Sequence, residues 1–352
     1  MIASSPARRA GTRFVLPKGL EASLPPERRG LPRDGVRLLV ARHDGVSHHS
    51  FADLPGLLEP GDLVVVNTSA TLPAALTVRN GAGRTAPLHV SGWFDASTWI
   101  VELRRHDNGG PDVAVSTGDQ LTLPGGVTLS AVRPYPDATA AVSRLWQAAV
   151  VPPTELVAYL QEHGRPIAYN HLAGSVPLSD HQTVYADQPG SAEMASAGRP
   201  FTAKLLTRLM TAGITVAPLT LHAGVSSPEF HEPPAPERYL VPESTARLVS
   251  ATRDAGRRVV AVGTTVVRAL ETVASADGRV GGGSGWTDLV LGPERPARVV
   301  TGMVTGLHMP ESSHLLLLEA VAGAGLVRDA YAAAVETRYL WHEFGDSMLF
   351  LP

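Results

Sequence analysis

The segment "RRVVAVGTTVVRALETV", residues 257–273, contains groups that suit the binding of an anion. Its strand-like apolar run ends at Gly263, two hydroxyls follow at Thr264 and Thr265, and Arg268 lies one turn further along a helix-like pattern. A glycine turn that opens a helix leaves backbone N–H groups unpaired and adds the positive end of the helix dipole. A carboxylate or a phosphate therefore fits this turn.

Other polar side chains stand where apolar residues would serve a core better. His222 in "LTLHAG" and His308 in "VTGLHMPESS" follow predicted strands, Trp286 and Asp288 lie in "GWTDL", and Asp346 lies in the C-terminal "FGDSMLF". Ligand sites of α/β folds collect at the ends of strands. We therefore expect these residues to form one site with the glycine turn.

Composition restricts the chemistry of that site. The chain has 352 residues, which favours two domains, and no cysteine, which excludes thiolate nucleophiles, disulfides and cysteine metal sites. Neither a P-loop nor an H-E-x-x-H motif occurs, and His48 and His49, if on a strand, point to opposite faces. The sequence therefore predicts no metal site.

Charge and hydropathy bear on partners and location. The net charge of −3 argues against nucleic-acid binding through bulk charge, although Arg28, Arg29 and Arg33 belong to a basic N-terminal segment. The longest apolar stretch, residues 315–327, is interrupted by Glu319 and is too short to span a bilayer. No export signal is readable, so we expect a cytoplasmic protein without membrane contact.

The pattern of predicted elements changes along the chain. Residues 36–150 contain short runs of period-two alternation, typical of a small antiparallel sheet or barrel. From Pro152 onward helical and strand-like segments alternate, which predicts an α/β fold. Proline-rich residues 224–243 and glycine-rich residues 275–286 are predicted loops. Strands are predicted at 214–224, 257–263, 286–292 and 299–308, and helices at 154–164, 201–213, 242–256 and, as two closing helices, after residue 308.

Several strings, in order, resemble those of a known family. They are "RLLVARHDGVSHHSFADLPGLLEPGDLVVVNTS", "HQTVYADQPGSAE", "AVGTTVVRALE", "GWTDLVLGP", "LHMPESS" and "FGDSMLF". The chain resembles the S-adenosylmethionine:tRNA ribosyltransferase-isomerases of queuosine biosynthesis over most of its length. The resemblance implies an α/β, barrel-like main domain formed by residues 1–70 and 151–352, interrupted by a small antiparallel β-barrel of residues 71–150.

The family's reaction uses S-adenosylmethionine as a ribosyl donor. The resemblance implies transfer of the ribose to a 7-aminomethyl-7-deazaguanine base in tRNA, where it becomes an epoxycyclopentane, with release of adenine and methionine. A sulfonium acidifies the C–H groups beside it, and an imidazole with a pKa near 7 suits their deprotonation, so His222 and His308 are candidate bases. Departure of adenine needs a donor, which a histidine, Asp288 or Asp346 supplies.

The same reaction gives the glycine turn at residue 263 a role in binding the donor. The methionine carboxylate fits Gly263, Thr264, Thr265 and Arg268, and Trp286 completes the predicted S-adenosylmethionine site. Arg268 has an alternative partner in Glu271, three residues further along the helix. If tRNA is the acceptor, we expect the basic N-terminal segment to contact it.

Some strings depart from the family's pattern. The family's "NDTR" reads "NTSA" at residues 67–70, without the acid and the arginine, and Arg199 and Pro200 stand where Leu and His are usual. Val266 and Gly306 replace a serine and an asparagine. Two alternatives stay open: a paralogue that binds S-adenosylmethionine but uses a small acceptor or cleaves the sulfonium without tRNA, and a non-catalytic RNA-binding or scaffold protein. The sequence does not specify the oligomeric state.

Overall fold

A computed structural model describes residues 10–169, 171–226 and 232–352. These residues form a nine-stranded mixed sheet, a closed six-stranded barrel and a two-stranded sheet. The strands are β1 (Arg37–Arg42), β2 (Gly45–Ser50), β3 (Leu63–Asn67), β4 (Ser69–Thr71), β5 (Ala75–Asn80), β6 (Thr85–Asp95), β7 (Thr98–Leu103), β8 (Gln120–Thr122), β9 (Thr128–Tyr135), β10 (Leu145–Val151), β11 (Gln188–Ser191), β12 (Thr215–Leu221), β13 (Glu237–Val241), β14 (Val259–Val262), β15 (Gly283–Thr287), β16 (Gly302–Gly306) and β17 (Ser347–Leu351). The helices are α1 (Leu54–Leu57), α2 (Leu156–His163), α3 (Ala203–Thr211), α4 (Glu243–Asp254), α5 (Thr264–Thr272), α6 (Ser313–Ala322) and α7 (Ala324–Glu336).

The large sheet has the order β15-β13-β12-β3-β14-β16-β17-β1-β2 and ends in two edge strands. Its central strands β12, β3, β14 and β16 are mutually parallel. The runs "LVVVN" in β3 and "VVAV" in β14 are buried at every residue. Continuous apolar runs of this kind are expected where both faces of a parallel sheet are covered. The four carboxyl ends therefore meet at one edge.

Helices cover both faces of this sheet. Val266 and Leu270 of α5 pack in one core with residues of α4, α6 and α7. Leu205 and Leu209 of α3 pack on the opposite face, in a core that also contains Leu54 of α1. The result is a three-layer α/β arrangement that fixes the position of each strand end.

The barrel closes in the order β10-β7-β6-β5-β8-β9 around its own core, which includes Trp99, Val101 and Leu129. The predicted fold class, α/β with an inserted antiparallel β-barrel, is confirmed. The inserted sheet closes into a barrel, whereas the main sheet stays open, with β15 and β2 as its two edge strands. The domain boundaries at residues 70/71 and 150/151 stay a prediction. Among the described residues, no helix has the length and apolar character needed to cross a membrane.

Three strands differ from the sequence-based expectation. β15 ends at Thr287, so most of the strand predicted at 286–292 is not formed. Residues 237–241 of the predicted proline-rich loop form β13, which pairs with β12 and β15; its residues 227–231 lie outside the described residues. β17 follows the closing helices and inserts between β16 and β1. Its burial comes from strands distant in sequence, which local patterning does not register.

Candidate active site

A cavity of about 580 Å³ lies at the carboxyl ends of the parallel strands, between the main sheet and β6 of the barrel. The loops after β12, β14 and β16 line it, as expected for a ligand site of an α/β sheet. Seven of the nine predicted site residues line this cavity. They are His222, Gly263, Thr264, Thr265, Arg268, Trp286 and His308.

The two predicted aspartates lie elsewhere. Asp288 is exposed, directly after β15, and is not among the cavity residues. Asp346 is buried and accepts hydrogen bonds from the backbone N–H of Arg37 (2.9 Å), its guanidinium (2.8 Å) and the N–H of Leu340 (2.8 Å). These contacts join the start of β1 to the turn before β17. The structure thus gives Asp346 a structural role and does not bring either aspartate to the histidines.

His222 terminates a chain of hydroxyls. Its Nδ1 lies 2.8 Å from Ser69 Oγ, which lies 2.6 Å from Ser191 Oγ, and the N–H of Ala223 donates to Ser191 Oγ (3.0 Å). Every hydroxyl hydrogen finds an acceptor in this chain if Ser191 donates to Ser69 and Ser69 to Nδ1. On this network we assign His222 the Nε2–H tautomer, which can donate but not accept at Nε2.

Burial, with a smaller contribution from the nearby Arg238 guanidinium, lowers the pKa of His222 from 6.5 to about 4. The value is below the one near 7 expected of a general base. His222 is consequently neutral at pH 7. A neutral histidine of this tautomer is suited to hydrogen-bond donation.

The position of the His222 ring depends on Gly190. A Cβ at residue 190 would lie 2.2 Å from His222 Nδ1 and 2.4 Å from Cε1. Gly190 falls at the register shift between Pro189 and Ser191, where β11 pairs with β4. A glycine is therefore required here by close approach of the ring.

His308 lies after β16 in a second hydrogen-bonded group. Its Nε2 lies 2.9 Å from Thr305 Oγ1, and its ring stacks on His314 with centroids 4.5 Å apart. Burial, then the neighbouring His314 and His342, holds the pKa of His308 well below its usual range. Burial, then Arg268, lowers the pKa of His314 to about 4. These rings are unprotonated at neutral pH.

The glycine turn has the predicted form. Gly263 is the N-cap of α5 with φ 90°, a conformation that favours glycine, and its N–H donates to Val304 O (2.8 Å). No side chain of the described residues caps this end. Asn67 Nδ2 donates to Thr265 Oγ1 (3.2 Å), which ties the turn to the end of β3. The N–H groups of the first turn remain for a ligand.

Arg268 has internal partners. Its guanidinium is buried, forms an ion pair with Glu237, and donates to two backbone carbonyl oxygens at 3.0 and 3.1 Å. The alternative pair with Glu271 is wrong, because Glu271 accepts from backbone N–H groups of residues 298–300 at 2.8 to 3.1 Å. Arg268 therefore orders the cavity wall, and its predicted contact with a ligand carboxylate has no support from this geometry.

Sequence analysis did not predict most of the charged residues that line the cavity, and two of them bear on its chemistry. Arg238 is exposed, and its guanidinium lies 5.4 Å from the centroid of the Trp93 ring. Glu193 accepts from Ser226 Oγ (2.6 Å), and burial, opposed by that bond and increased by Glu343, raises its pKa from 4.5 to about 7. Arg238 lies in the predicted proline-rich loop and Glu193 ends the family string "HQTVYADQPGSAE", but neither residue was assigned to the site. Trp286, which sequence analysis did predict, packs on Phe94 of the barrel with ring centroids 5.1 Å apart.

The departure at residue 199 has a packing explanation. Arg199 is buried, pairs with Glu27 at 2.9 Å and donates to Asp180 O at 3.0 Å. It also lies over the Phe344 ring, 5.0 Å from its centroid. The substitution thus joins the N-terminal segment to the main domain.

The arginines expected to contact tRNA also have partners within the chain. Arg28 lies 3.3 Å from Asp180, Arg29 donates to Phe344 O (2.7 Å), and Arg33 donates to a backbone carbonyl (3.1 Å). Their contact with tRNA stays a prediction.

The fold and the cavity define an α/β protein with a ligand site at the carboxyl ends of its parallel strands, walled on one side by a small barrel. Residues 11–350 match the family model described as queuosine biosynthesis protein. The chain belongs to this family.

Relatives support the same assignment over the full chain. S-adenosylmethionine:tRNA ribosyltransferase-isomerase of Moorella thermoacetica is 36% identical over 96% of this chain and 98% of the relative. The enzyme of that name from Thermus thermophilus is 36% identical over 95% of this chain and 100% of the relative. The crystal structure of S-adenosylmethionine tRNA ribosyltransferase from Thermotoga maritima matches with a TM-score of 0.54 and 29% identity, over 97% of this chain and 99% of that one.

Proposed function

We propose that this protein transfers the ribosyl group of S-adenosylmethionine to a 7-aminomethyl-7-deazaguanine base in tRNA, forming epoxyqueuosine and releasing adenine and methionine. Full-length similarity to enzymes named for S-adenosylmethionine and tRNA supports the proposal. The observation that carries it is the cavity that unites His222, His308 and the Gly263 turn.

The two histidines take different roles. The hydroxyl chain makes His222 a donor at Nε2, so we assign it to the departing adenine, which needs a hydrogen bond as its charge develops. His308 is left to remove the proton beside the sulfonium. Its lowered pKa keeps it unprotonated at neutral pH but also makes it a weaker base than the sequence predicted, so the assignment rests on the tautomer of His222 and not on this pKa.

The amino-acid end of S-adenosylmethionine needs a partner for its carboxylate. The N-terminal turn of α5 supplies backbone N–H groups and the helix dipole. We assign the cationic partner to Arg238, because Arg268 is neutralised by Glu237. Arg238 lines the cavity and lies close enough to His222 to lower its pKa.

Product release tests the proposal. The purified chain is incubated with S-adenosylmethionine alone, with unmodified tRNA, and with tRNA that carries the deazaguanine base, and adenine and methionine are followed by chromatography. We expect both products only with the modified tRNA, and loss of turnover in His222→Gln and His308→Gln. Release from S-adenosylmethionine alone would support the paralogue instead. Binding of tRNA without release would support the non-catalytic alternative.

A further inference from the structure

Three metal-ligating side chains meet at one end of the cavity. They are His171, in the segment after α2, and His342 and Glu343, in the turn before β17. All three line the cavity, and their candidate ligand atoms lie within 4.8 Å of one another. Neither the fold nor the roles assigned above account for this cluster.

Two buried atoms of the cluster face each other. His171 Nε2 lies 2.9 Å from Glu343 Oε2, within ion-pair distance, and among the described residues neither atom has a well-aligned hydrogen bond. Buried polar atoms of this kind are costly and uncommon in native structures. A cation between them would satisfy the lone pairs of both.

The third member is held in an unusual backbone conformation. His342 has φ 73°, in the left-handed region that few residues other than glycine adopt. Its Nε2 lies 3.1 Å from Glu21 Oε1. A carboxylate beside a ligating histidine fixes its ring orientation and raises its basicity. Strained backbone held by such contacts is concentrated at functional sites.

We propose that His171, His342 and Glu343 bind a divalent transition-metal ion, for which Zn²⁺ is the best match to two imidazoles and one carboxylate. Three protein ligands leave a coordination position open to a ligand in the cavity. The proposal does not rest on the proposed ribosyl transfer, and it departs from the sequence-based expectation of no metal. Patterning could not find it, because His171 and His342 are brought together only by the fold.

Binding requires a local rearrangement. The ligands of a tetrahedral zinc ion lie about 3.4 Å apart at metal–ligand distances of about 2.1 Å, so the His171–Glu343 pair at 2.9 Å must open and ligand atoms now up to 4.8 Å apart must approach one another. The rings of His171 and His342 stack with centroids 4.1 Å apart and an angle of 13°. A metal lies close to the plane of the imidazole that binds it, so one ring must leave the stack.

Metal titration of the full chain tests the site. After dialysis against EDTA, Zn²⁺ binding is measured by calorimetry and Co²⁺ binding by visible absorption. We expect one equivalent per chain and the intense absorption of four-coordinate Co²⁺. His342→Asn, which tolerates the left-handed backbone, and Glu343→Gln, which keeps the side-chain shape, should each reduce affinity by about 100-fold or more. His106→Ala, in an exposed loop, is the matched control and should bind as the parent does.

Either of two outcomes overturns the proposal: the absence of stoichiometric metal binding, or equal metal affinity in the parent and both ligand variants. Circular dichroism verifies that each variant is folded. If a variant fails to fold, the Co²⁺ spectrum of the parent decides: the weak absorption of the hydrated ion would rule the site out.

Discussion

Gly190→Ala is the sharpest perturbation of the site, because it displaces the His222 ring without replacing the side chain of any residue assigned to the reaction. The new Cβ would lie 2.2 Å from His222 Nδ1, so the ring must retreat by about 1.2 Å to reach the 3.4 Å at which ordinary contact begins. The hydrogen bond between Ser69 Oγ and His222 Nδ1, now 2.8 Å, cannot survive a retreat of that size.

We expect Gly190→Ala to lower both stability and turnover. Overpacking by one methyl group costs about 1 to 3 kcal/mol of stability. A displacement of about 1 Å at a reacting group lowers turnover by about 100-fold. Gly190 has no left-handed backbone conformation, so the effect is steric rather than a result of backbone strain.

The assay compares adenine release and urea unfolding of Gly190→Ala with those of Gly292→Ala. A Cβ at Gly292, outside the cavity, would meet its nearest neighbour, Leu316 Cδ2, at 3.9 Å, so this control should behave as the parent does. Parent-like turnover in Gly190→Ala would refute the reasoning, since it would mean that the placement of the His222 ring does not limit the reaction.

Three further predictions concern the charged groups of the cavity. Arg238→Gln should weaken S-adenosylmethionine binding by about 1.5 to 3 kcal/mol in calorimetry, the range for a charge-assisted hydrogen bond. Arg247→Gln, at an exposed residue of α4, is the control and should bind as the parent does. Equal affinities of the two variants would show that Arg238 does not contact the ligand. Arg268→Met should cost about 3 to 5 kcal/mol of stability in urea, because Glu237 is left unpaired, and the double variant with Glu237→Leu should recover most of it; additive losses would contradict a structural pair. Protonated Glu193 stabilises the fold below about pH 4.5, and that contribution is lost as pH rises through about 7. As the pH rises from about 5 to about 8, the free energy of unfolding of Glu193→Gln should therefore fall by about 1 kcal/mol less than that of the parent, a figure reduced because Ser226, which contacts Glu193, is exposed to solvent. Identical pH profiles of the two proteins would show that the pKa of Glu193 is not raised.

The position of the site could be predicted from the sequence because it depends on local patterns. His222, Gly263 and His308 each follow a short apolar run, and those runs became β12, β14 and β16. Parallel strands place their carboxyl ends at one edge, so residues that follow them meet without further information. These runs are strongly apolar because both faces of the sheet are buried at these strands.

The partners of the site residues could not be predicted, since they come from segments far apart in the chain. Arg268 pairs with Glu237 of β13, a strand obscured by its proline-rich neighbours. The motif that contains Asp346 predicted a catalytic role, yet its carboxylate forms an ion pair with Arg37 at the start of β1. A side chain's chemistry is set by such partners, and sequence spacing does not reveal them.

The charge state of the cavity fits a cationic ligand. S-adenosylmethionine carries a positive sulfonium, so a protonated imidazole beside it would add like-charge repulsion in a medium of low dielectric constant. Burial lowers the pKa of both His222 and His308, and Glu237 neutralises Arg268. On the proposed function, neutral hydrogen-bonding groups would lie near the reacting atoms and Arg238 would pair with the carboxylate end. A bound sulfonium would lower the pKa of these imidazoles further, which would keep His308 unprotonated but weaken it as a base, while the same charge would make the adjacent C–H groups more acidic.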